Sequence, residues 1–388
     1  MVLYIGETRI CPVIRVKGRD SGGQYLVTVI DYDGKILKQD HLSNGDKMFL
    51  PPAPTHTGMV FQGWSCADGV STDSNGDKYV TVNGGDVTVG AYYNTSTGNT
   101  EFDIELTSST LTITCKMVGT KDWGDGTSDN LTTHTYANAG KYTISCSGTS
   151  WGSNTSSSGL FGQSSTSINY TVKAIRIGSK ITNINSGYAF QYLYGLKTIS
   201  ISKKTTTTMG SYIFRYCINL QAIVLPEGIK TINSYGLYYL AQVQYPVIPS
   251  TITSIGTYAL SYMIQAITIP IPNAITLLSN NVVGGNSMMG SFRIPSSCTQ
   301  LGTSVFSGCT ALQSLKFPAT VTTIGGTAFT NTRGCQFDFT SHASVPTLGA
   351  GAFNGYYPSM RIYVPSTLYN TWKSATNWIS YQNNIVGV

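Results

Sequence analysis

A bulky apolar residue returns at an almost fixed interval through the second half of this 388-residue chain. Phe190, Phe214, Leu237, Leu260, Val283, Phe306 and Phe329 are spaced by 24, 23, 23, 23, 23 and 23 residues, and Phe353 comes 24 later. Pro226, Pro249, Pro272, Pro295 and Pro318 keep the same beat, and the position of Leu220 recurs as Val243, Ala266, Met289, Leu312 and Cys335. A period of this length marks stacked supersecondary units, none of which buries its apolar side alone. Each unit offers about five apolar side chains at roughly 1.5–3 kcal/mol apiece against the ordering cost of the whole unit, so only the stack is stable. With turns ~4.8 Å apart, eight of them give a rod roughly 40 Å long, and function is expected on its extended surface.

Charge divides the chain in two. Residues 1–169 carry 11 Lys and Arg against 16 Asp and Glu, whereas residues 170–388 carry 13 against two, Glu227 and Asp338. So acid-poor a solenoid has a positive field that suits a polyanion, although dispersed cations also serve simply to keep a β surface soluble. Only 11% of residues are charged and 41% are apolar, with mean hydropathy near zero, which fits an extracellular or virion β protein and excludes disorder. Val2 to Glu7 form neither a basic nor an apolar leader region, and no later stretch approaches a membrane span, so no membrane insertion is expected, and either a leader has been removed or the protein reaches its site inside a virus particle and needs none.

Four of the eight cysteines keep the register of the repeat: Cys217 and Cys309 match each other, while Cys298 and Cys335 take apolar core positions. They are read as small core residues, and no CxxC spacing suggests zinc, so no metal or cofactor is expected. Cys115 and Cys146 each end an alternating run, Leu111 to Cys115 and Tyr142 to Cys146. They are either paired or buried side by side, with the reduced state favoured. Gly148-Thr-Ser-Trp-Gly152 fits GxSxG but lacks the flanking strand and helix of a nucleophile elbow, and only His342 lies downstream as a base. The aspartates of Asp31 to Gly34, Asp73 to Asp77 and Asp122 to Asp129 read as turns, and His134 as fixing one. No catalytic residue is assigned.

Residues 1–23 read as an N-terminal β segment around Cys11-Pro12. In residues 24–96, Asn44-Gly-Asp, Pro51-Pro-Ala-Pro54, Gly58, Phe61-Gln-Gly-Trp64 and Asp86-Val-Thr-Val-Gly-Ala-Tyr-Tyr93 follow in order, and this segment resembles the β-grasp-like B-repeat of internalin-type surface proteins. Residues 97–148 contain Asp122-Trp-Gly-Asp-Gly-Thr127, His134-Thr-Tyr136 and Gly140-Lys-Tyr-Thr-Ile144, and resemble a PKD-type immunoglobulin-like module, short for that fold, so that an edge strand is either lost or supplied by a neighbour. Residues 149–170 are a Ser- and Gly-rich linker or cap. Residues 171–366, in units such as Val321-Thr-Thr-Ile-Gly-Gly-Thr-Ala-Phe329, resemble BspA-like leucine-rich repeats, and 367–388 with Trp372 and Trp378 read as a C-terminal cap. The fold class is therefore mainly β and multidomain, with β-grasp-like and Ig-like modules before a leucine-rich-repeat solenoid of about eight 23-residue repeats.

Two tyrosine rows run through four successive repeats. Tyr188, Tyr212, Tyr235 and Tyr258 precede the bulky core residue by two positions, and Tyr192, Tyr216, Tyr239 and Tyr262 follow it by two. Arg215, Lys197, Lys203, Lys204 and Lys230 lie in the same repeats. Stacked phenols flanked by cations suit a sugar polymer, with ring faces against the sugars, and Arg215 and Lys230 join the eight tyrosines as the candidate ligand-binding set. The alternative is that the rings only seal the solenoid edge. The three resemblances imply adhesion, and with the tyrosine rows the chain reads as a non-catalytic, extracellular, carbohydrate-binding protein. Its partner would be a cell-surface glycan or other polyanionic polymer, or a surface protein; no specific nucleic acid is expected, and homo-oligomer formation is left open. Leu3-Tyr-Ile-Gly-Glu7 is similar to the starts of phage structural proteins, which implies a tail-associated or capsid-decorating virion component. A bacterial surface adhesin, a structural spacer and a glycan hydrolase are the other readings; the solenoid, with only Glu227 and Asp338 nearly five repeats apart, cannot supply the paired carboxylates the last would need.

Overall fold

The computed structural model describes residues 23–155, 159–162, 166–204 and 208–388. The N-terminal β segment around Cys11-Pro12 and the Leu3 to Glu7 opening lie outside the described residues, as do 156–158 and 163–165 of the linker. The chain is mainly β, with a β-solenoid of about nine turns in its C-terminal part, one more than the count of repeats predicts.

The first module is built on a four-stranded sheet in the order Ile36–Leu42, Tyr25–Ile30, Val87–Thr95, Met59–Cys66. The central pair, Tyr25–Ile30 and Val87–Thr95, is parallel, and the outer pairings are antiparallel. The alternating residues Val27, Val29, Val87, Val89 and Ala91 enclose its own core with Trp64 and Tyr93.

The second module has no such independence. Its sheet runs Ser128–Asp129, Lys121–Asp122, Gly140–Cys146, Thr100–Leu106, and then continues into Val172–Ile177 and Thr198–Ile201 of the solenoid. Val172–Ile177 pairs antiparallel with Thr100–Leu106 on one side and parallel with Thr198–Ile201 on the other, so the repeats supply the strand that this short module lacks. A two-stranded sheet of Leu111–Thr114 and Thr133–Tyr136 faces it. One hydrophobic core extends without a break from Phe102 to Ile385.

Each solenoid turn carries two short faces. On the first, two-residue parallel strands stack at Thr208–Met209, Thr231–Ile232 and Ser254–Ile255, and again from Leu277–Leu278 to Thr347–Leu348. The second face forms a regular ladder only near its ends, from Ser314–Lys316 to Ile385–Gly387 and at Val172–Ile177 with Thr198–Ile201. Between them it is reduced to the isolated bridge Val224 to Val247, so a strand precedes the repeat proline in only some of the repeats. Phe190 and Phe214, Phe306 and Phe329, and Phe329 and Phe353 stack ring on ring at 5.3, 5.7 and 5.0 Å, which is the physical content of the sequence period. Trp151, Leu160 and Phe161 are buried at the first turn, and Trp372 and Trp378 pack on Phe339 at the last.

The modules are not strung in series. The first folds back along the second face of the solenoid, burying Ile30 and Tyr92 against Ala222, Val224 and Val247. Lys203 N–H donates to Gln62 Oε1 at 2.7 Å and Ser200 Oγ to the Tyr93 carbonyl at 3.2 Å. Four repeats further on, Arg293 reaches Asp68 at 2.5 Å and the Asn83 carbonyl at 2.9 Å, while Ser291 donates to Asp86.

Candidate functional site

The two tyrosine rows occupy one edge of the solenoid, where the chain turns from the first face to the second. All sixteen row positions, from 188 and 192 to 351 and 355, have left-handed backbone, with φ between 52° and 77°. The turn is dictated by the repeat: N–H groups at Tyr188, Phe190 and Tyr192 donate to carbonyls of Ser211, Ile213 and Arg215 in the next unit, and the pattern recurs along the stack. Later units meet this geometry with Asn281, Gly285, Gly308, Asn331, Gly351 and Gly355, together with Ser304 and Thr327. Glycine and asparagine are the residues that tolerate it. Eight tyrosines in the same conformation cost about 1–2 kcal/mol each in backbone energy.

Ring stacking returns part of this. In the first row, Tyr188, Tyr212, Tyr235 and Tyr258 lie at centroid separations of 4.9, 4.8 and 4.9 Å, within 13° of parallel. The second row is looser, with Tyr192, Tyr216, Tyr239 and Tyr262 at 5.4, 5.2 and 5.7 Å. Such pairs contribute about 0.5–1.5 kcal/mol each. Six such pairs offset only part of the backbone cost of eight strained residues, so sealing the edge gives the chain nothing that Asn and Gly do not give it more simply.

The stacking corrects one expectation. The ring faces are taken up by one another and are not free to lie on sugars; what the edge presents is ring rims and hydroxyls. Among the described residues, the hydroxyls of Tyr188, Tyr192, Tyr212, Tyr235, Tyr239, Tyr258 and Tyr262 have no hydrogen-bond partner in the chain, and the ring of Tyr216 meets that of Tyr238 edge-on at 5.4 Å. Burial pushes the phenols of Tyr235 and Tyr238 above their ordinary value, with neighbouring phenols adding to it, so both remain donors at neutral pH. The tyrosines are half-buried, except Tyr262, which is 39% exposed.

The cations divide sharply. Arg215 sits among the rings of Tyr216, Tyr212, Tyr192 and Tyr238, at 4.8, 5.4, 5.5 and 6.0 Å, which is cation–π distance. Tyr238, outside both sequence rows, closes this cage. Lys230 is exposed and makes none of those ring contacts. Lys203 is exposed, and only its backbone N–H meets the first module, while Lys197 lines an ionic cleft beside Lys173 and Arg176. Lys204 is no surface cation: it is 4% exposed, and its Nζ donates to the carbonyls of Gly178 and Ile181 and to Ser202 Oγ at 2.9, 2.7 and 2.8 Å.

The repeats match the BspA type leucine rich repeat region in six copies, over residues 165–288 and 284–380. The chain belongs to the BspA-type leucine-rich-repeat family. Two solved structures are similar to it. One is a leucine-rich repeat protein from Bacteroides ovatus ATCC 8483, 18% identical over 56% of this chain and 66% of that one, with a TM-score of 0.35. The other is a leucine rich cell surface protein from Faecalibacterium prausnitzii A2-165, 17% identical over 47% and 63%, with a TM-score of 0.22. The chain thus spans less than two thirds of either protein. No curated protein matches. The family match starts at residue 165 and leaves the two N-terminal modules as resemblances.

The other residues singled out in the sequence make local contacts. Gly148 and Gly152 of the GxSxG segment let the backbone cross close to a neighbour: a Cβ at these positions would stand 1.5 Å from the Val118 carbonyl oxygen and 2.1 Å from that of Lys116. His134 bonds Asp125 at 2.7 Å and stacks on Trp123 at 4.9 Å, holding its turn. His342 is buried against Phe339 and Trp372 and is bonded to the Val321 carbonyl, so burial lowers its pKa. Asp31, Asp73 and Asp129 accept backbone N–H groups within their own turns. No helix among the described residues is long and apolar enough to cross a membrane.

Lys204 has a consequence for stability. Burial lowers its amine from 10.5 to about 7, against the pull of the three oxygens around it. The unfolded chain holds that proton up to about 10.5 while the folded chain releases it near 7, so stability rises as pH climbs through that window. Urea midpoints at pH 6.5 and 9.5, chosen as about the two sides of the window, should show this gain in the wild type and not in Lys204→Met. Equal slopes would mean that the ammonium stays charged throughout.

Proposed function

We propose that this BspA-type protein is a non-catalytic adhesin that binds a cell-surface glycan polymer along the tyrosine edge. The observation that carries the reading is the run of eight tyrosines held in left-handed backbone with seven hydroxyls unpaired. Strain of this kind clusters at functional sites. A polymer lying along the solenoid axis would meet the phenols of both rows over four successive turns, and its acidic groups would approach Arg215. Within the solenoid the two acids do not form a pair: Glu227 is engaged by Ser250, and Asp338 accepts from Thr340 almost five repeats away. Display on a bacterial surface and display on a virion both put this edge outside, and the genomic neighbours of the coding sequence distinguish them.

The later repeats supply the test substitutions. Tyr212→Asn, Tyr216→Gly, Tyr235→Asn and Tyr239→Gly together install residues the chain itself uses at these turns, so the backbone is relieved and the phenols are lost. Retention on whole bacterial cells and on a glycan array should fall at least about tenfold, with circular dichroism and elution volume unchanged; tenfold corresponds to about 1.4 kcal/mol. Unchanged retention would reject the edge as a binding surface and favour a structural spacer.

A further inference from the structure

The described cysteines are all buried, yet only two of their sulfurs meet. Cys217, Cys309, Cys298 and Cys335 each direct Sγ at a backbone carbonyl: those of Phe190, Val283, Gln300 and Gln336 respectively. Cys115 and Cys146 instead face each other at 3.8 Å, with exposures of 0% and 1%. They belong to opposite sheets. Cys115 directly follows Leu111–Thr114 and donates its N–H to the Thr132 carbonyl, whereas Cys146 ends Gly140–Cys146 and pairs with Lys121 and Thr100.

We propose that Cys115 and Cys146 are an oxidation site, at which the chain forms an intramolecular disulfide that ties the two sheets of the second module together. The sulfurs need to close by only ~1.8 Å to reach the bonded distance of about 2.05 Å. The oxidant is a low-molecular-weight disulfide such as oxidised glutathione. One cysteine thiolate attacks a glutathione sulfur, breaking that S–S bond and releasing one glutathione thiolate, which takes up the proton lost by the cysteine. The second cysteine thiolate then attacks the mixed disulfide, forming the Cys115–Cys146 bond and releasing the second glutathione thiol. Two cysteine thiols are oxidised and one glutathione disulfide is reduced to two thiols. Because both sulfurs are buried, the exchange takes place before the sheets close over them or during their opening.

The link would stiffen the base of the rod. It would close a loop between residues 115 and 146 containing Trp123, His134 and Tyr136, and Gly140–Cys146 is hydrogen-bonded to Thr100–Leu106, which in turn carries the first solenoid strand. The proposal is independent of what the tyrosine edge binds.

The test is to reduce and unfold the full chain, then refold it in a mixture of reduced and oxidised glutathione. Of the eight cysteines, six should remain titratable in denaturant, and digestion should yield one linked peptide pair joining Cys115 to Cys146, two hydrogens lighter and split by reductant. The urea midpoint should rise relative to the reduced chain. Cys146→Ala should keep all its thiols under the same treatment; a disulfide in that variant would show that pairing is not specific to this site. Eight free thiols in the folded wild type, or a link through any other cysteine, would overturn the proposal, and the wild-type peptide map decides the matter even if the variant fails to fold.

Discussion

Phe329→Ala should lower stability by about 3–5 kcal/mol and split a single unfolding transition into two. Phe329 is fully buried, with Phe337, Phe353, Phe306 and Phe317 around it at 4.9, 5.0, 5.7 and 5.9 Å. Its removal leaves a cavity that the flanking turns cannot fill, because each is fixed by backbone hydrogen bonds to the next. A solenoid holds together through contacts between neighbours, so a hole in one turn weakens the coupling of everything beyond it. Trp372 and Trp378 report on the turns after the hole, and Trp123 and Trp151 on those before it. Fluorescence from the C-terminal pair should therefore be lost at lower denaturant than the circular dichroism of the remainder. A single coincident transition near the wild-type midpoint would show that the repeats are not coupled in this linear way.

The repeat fold was legible because its signal is redundant. A ring at 190, 214, 306, 329 or 353 and a small or apolar residue at 217, 298, 309 or 335 all report one register, and no single substitution hides it. The turn conformation at the tyrosines was also present in the sequence. Gly285, Gly308, Gly351, Gly355, Asn281 and Asn331 stand where tyrosines stand in earlier repeats, and glycine alternating with asparagine at a fixed register signals left-handed backbone. The signal is masked where tyrosine, a poor residue for that geometry, occupies the position.

Ring orientation was not legible, since period alone does not say whether aromatic faces meet ligand or each other. Nor were the individual roles of the lysines: Lys203 and Lys204 are adjacent in sequence, yet one meets Gln62 of the first module and the other is sealed inside the first turns. The charge asymmetry was visible, but its first use is internal. Arg176 bonds Glu101 and Asp103 at 2.8 and 2.6 Å, Lys173 approaches Glu105 at 3.5 Å, and Arg293 holds Asp68 at 2.5 Å. Acids of the N-terminal modules thus neutralise part of the solenoid before any external polyanion does.

That internal complementarity makes the fold-back of the first module the other point at which one residue has a large effect. Gly90 lies in the central strand Val87–Thr95, and a Cβ there would stand 2.7 Å from both γ-methyls of Val224 and 2.9 Å from Val247. Valine favours strand geometry, so Gly90→Val should leave the sheet of the module intact while forcing it off the solenoid, an overpacking cost of about 1–3 kcal/mol. The contacts left to oppose separation are dispersed: Lys203 to Gln62, Ser200 to Tyr93, and the Arg293 cluster four repeats away. Solution scattering should show a larger radius of gyration, and proteolysis between residues 94 and 99 should accelerate, while circular dichroism stays near the wild-type spectrum. Adding Val224→Ala removes the two methyls that clash and should restore part of the compact state. Scattering and proteolysis identical to the wild type would mean that the module does not depend on this contact to stay docked.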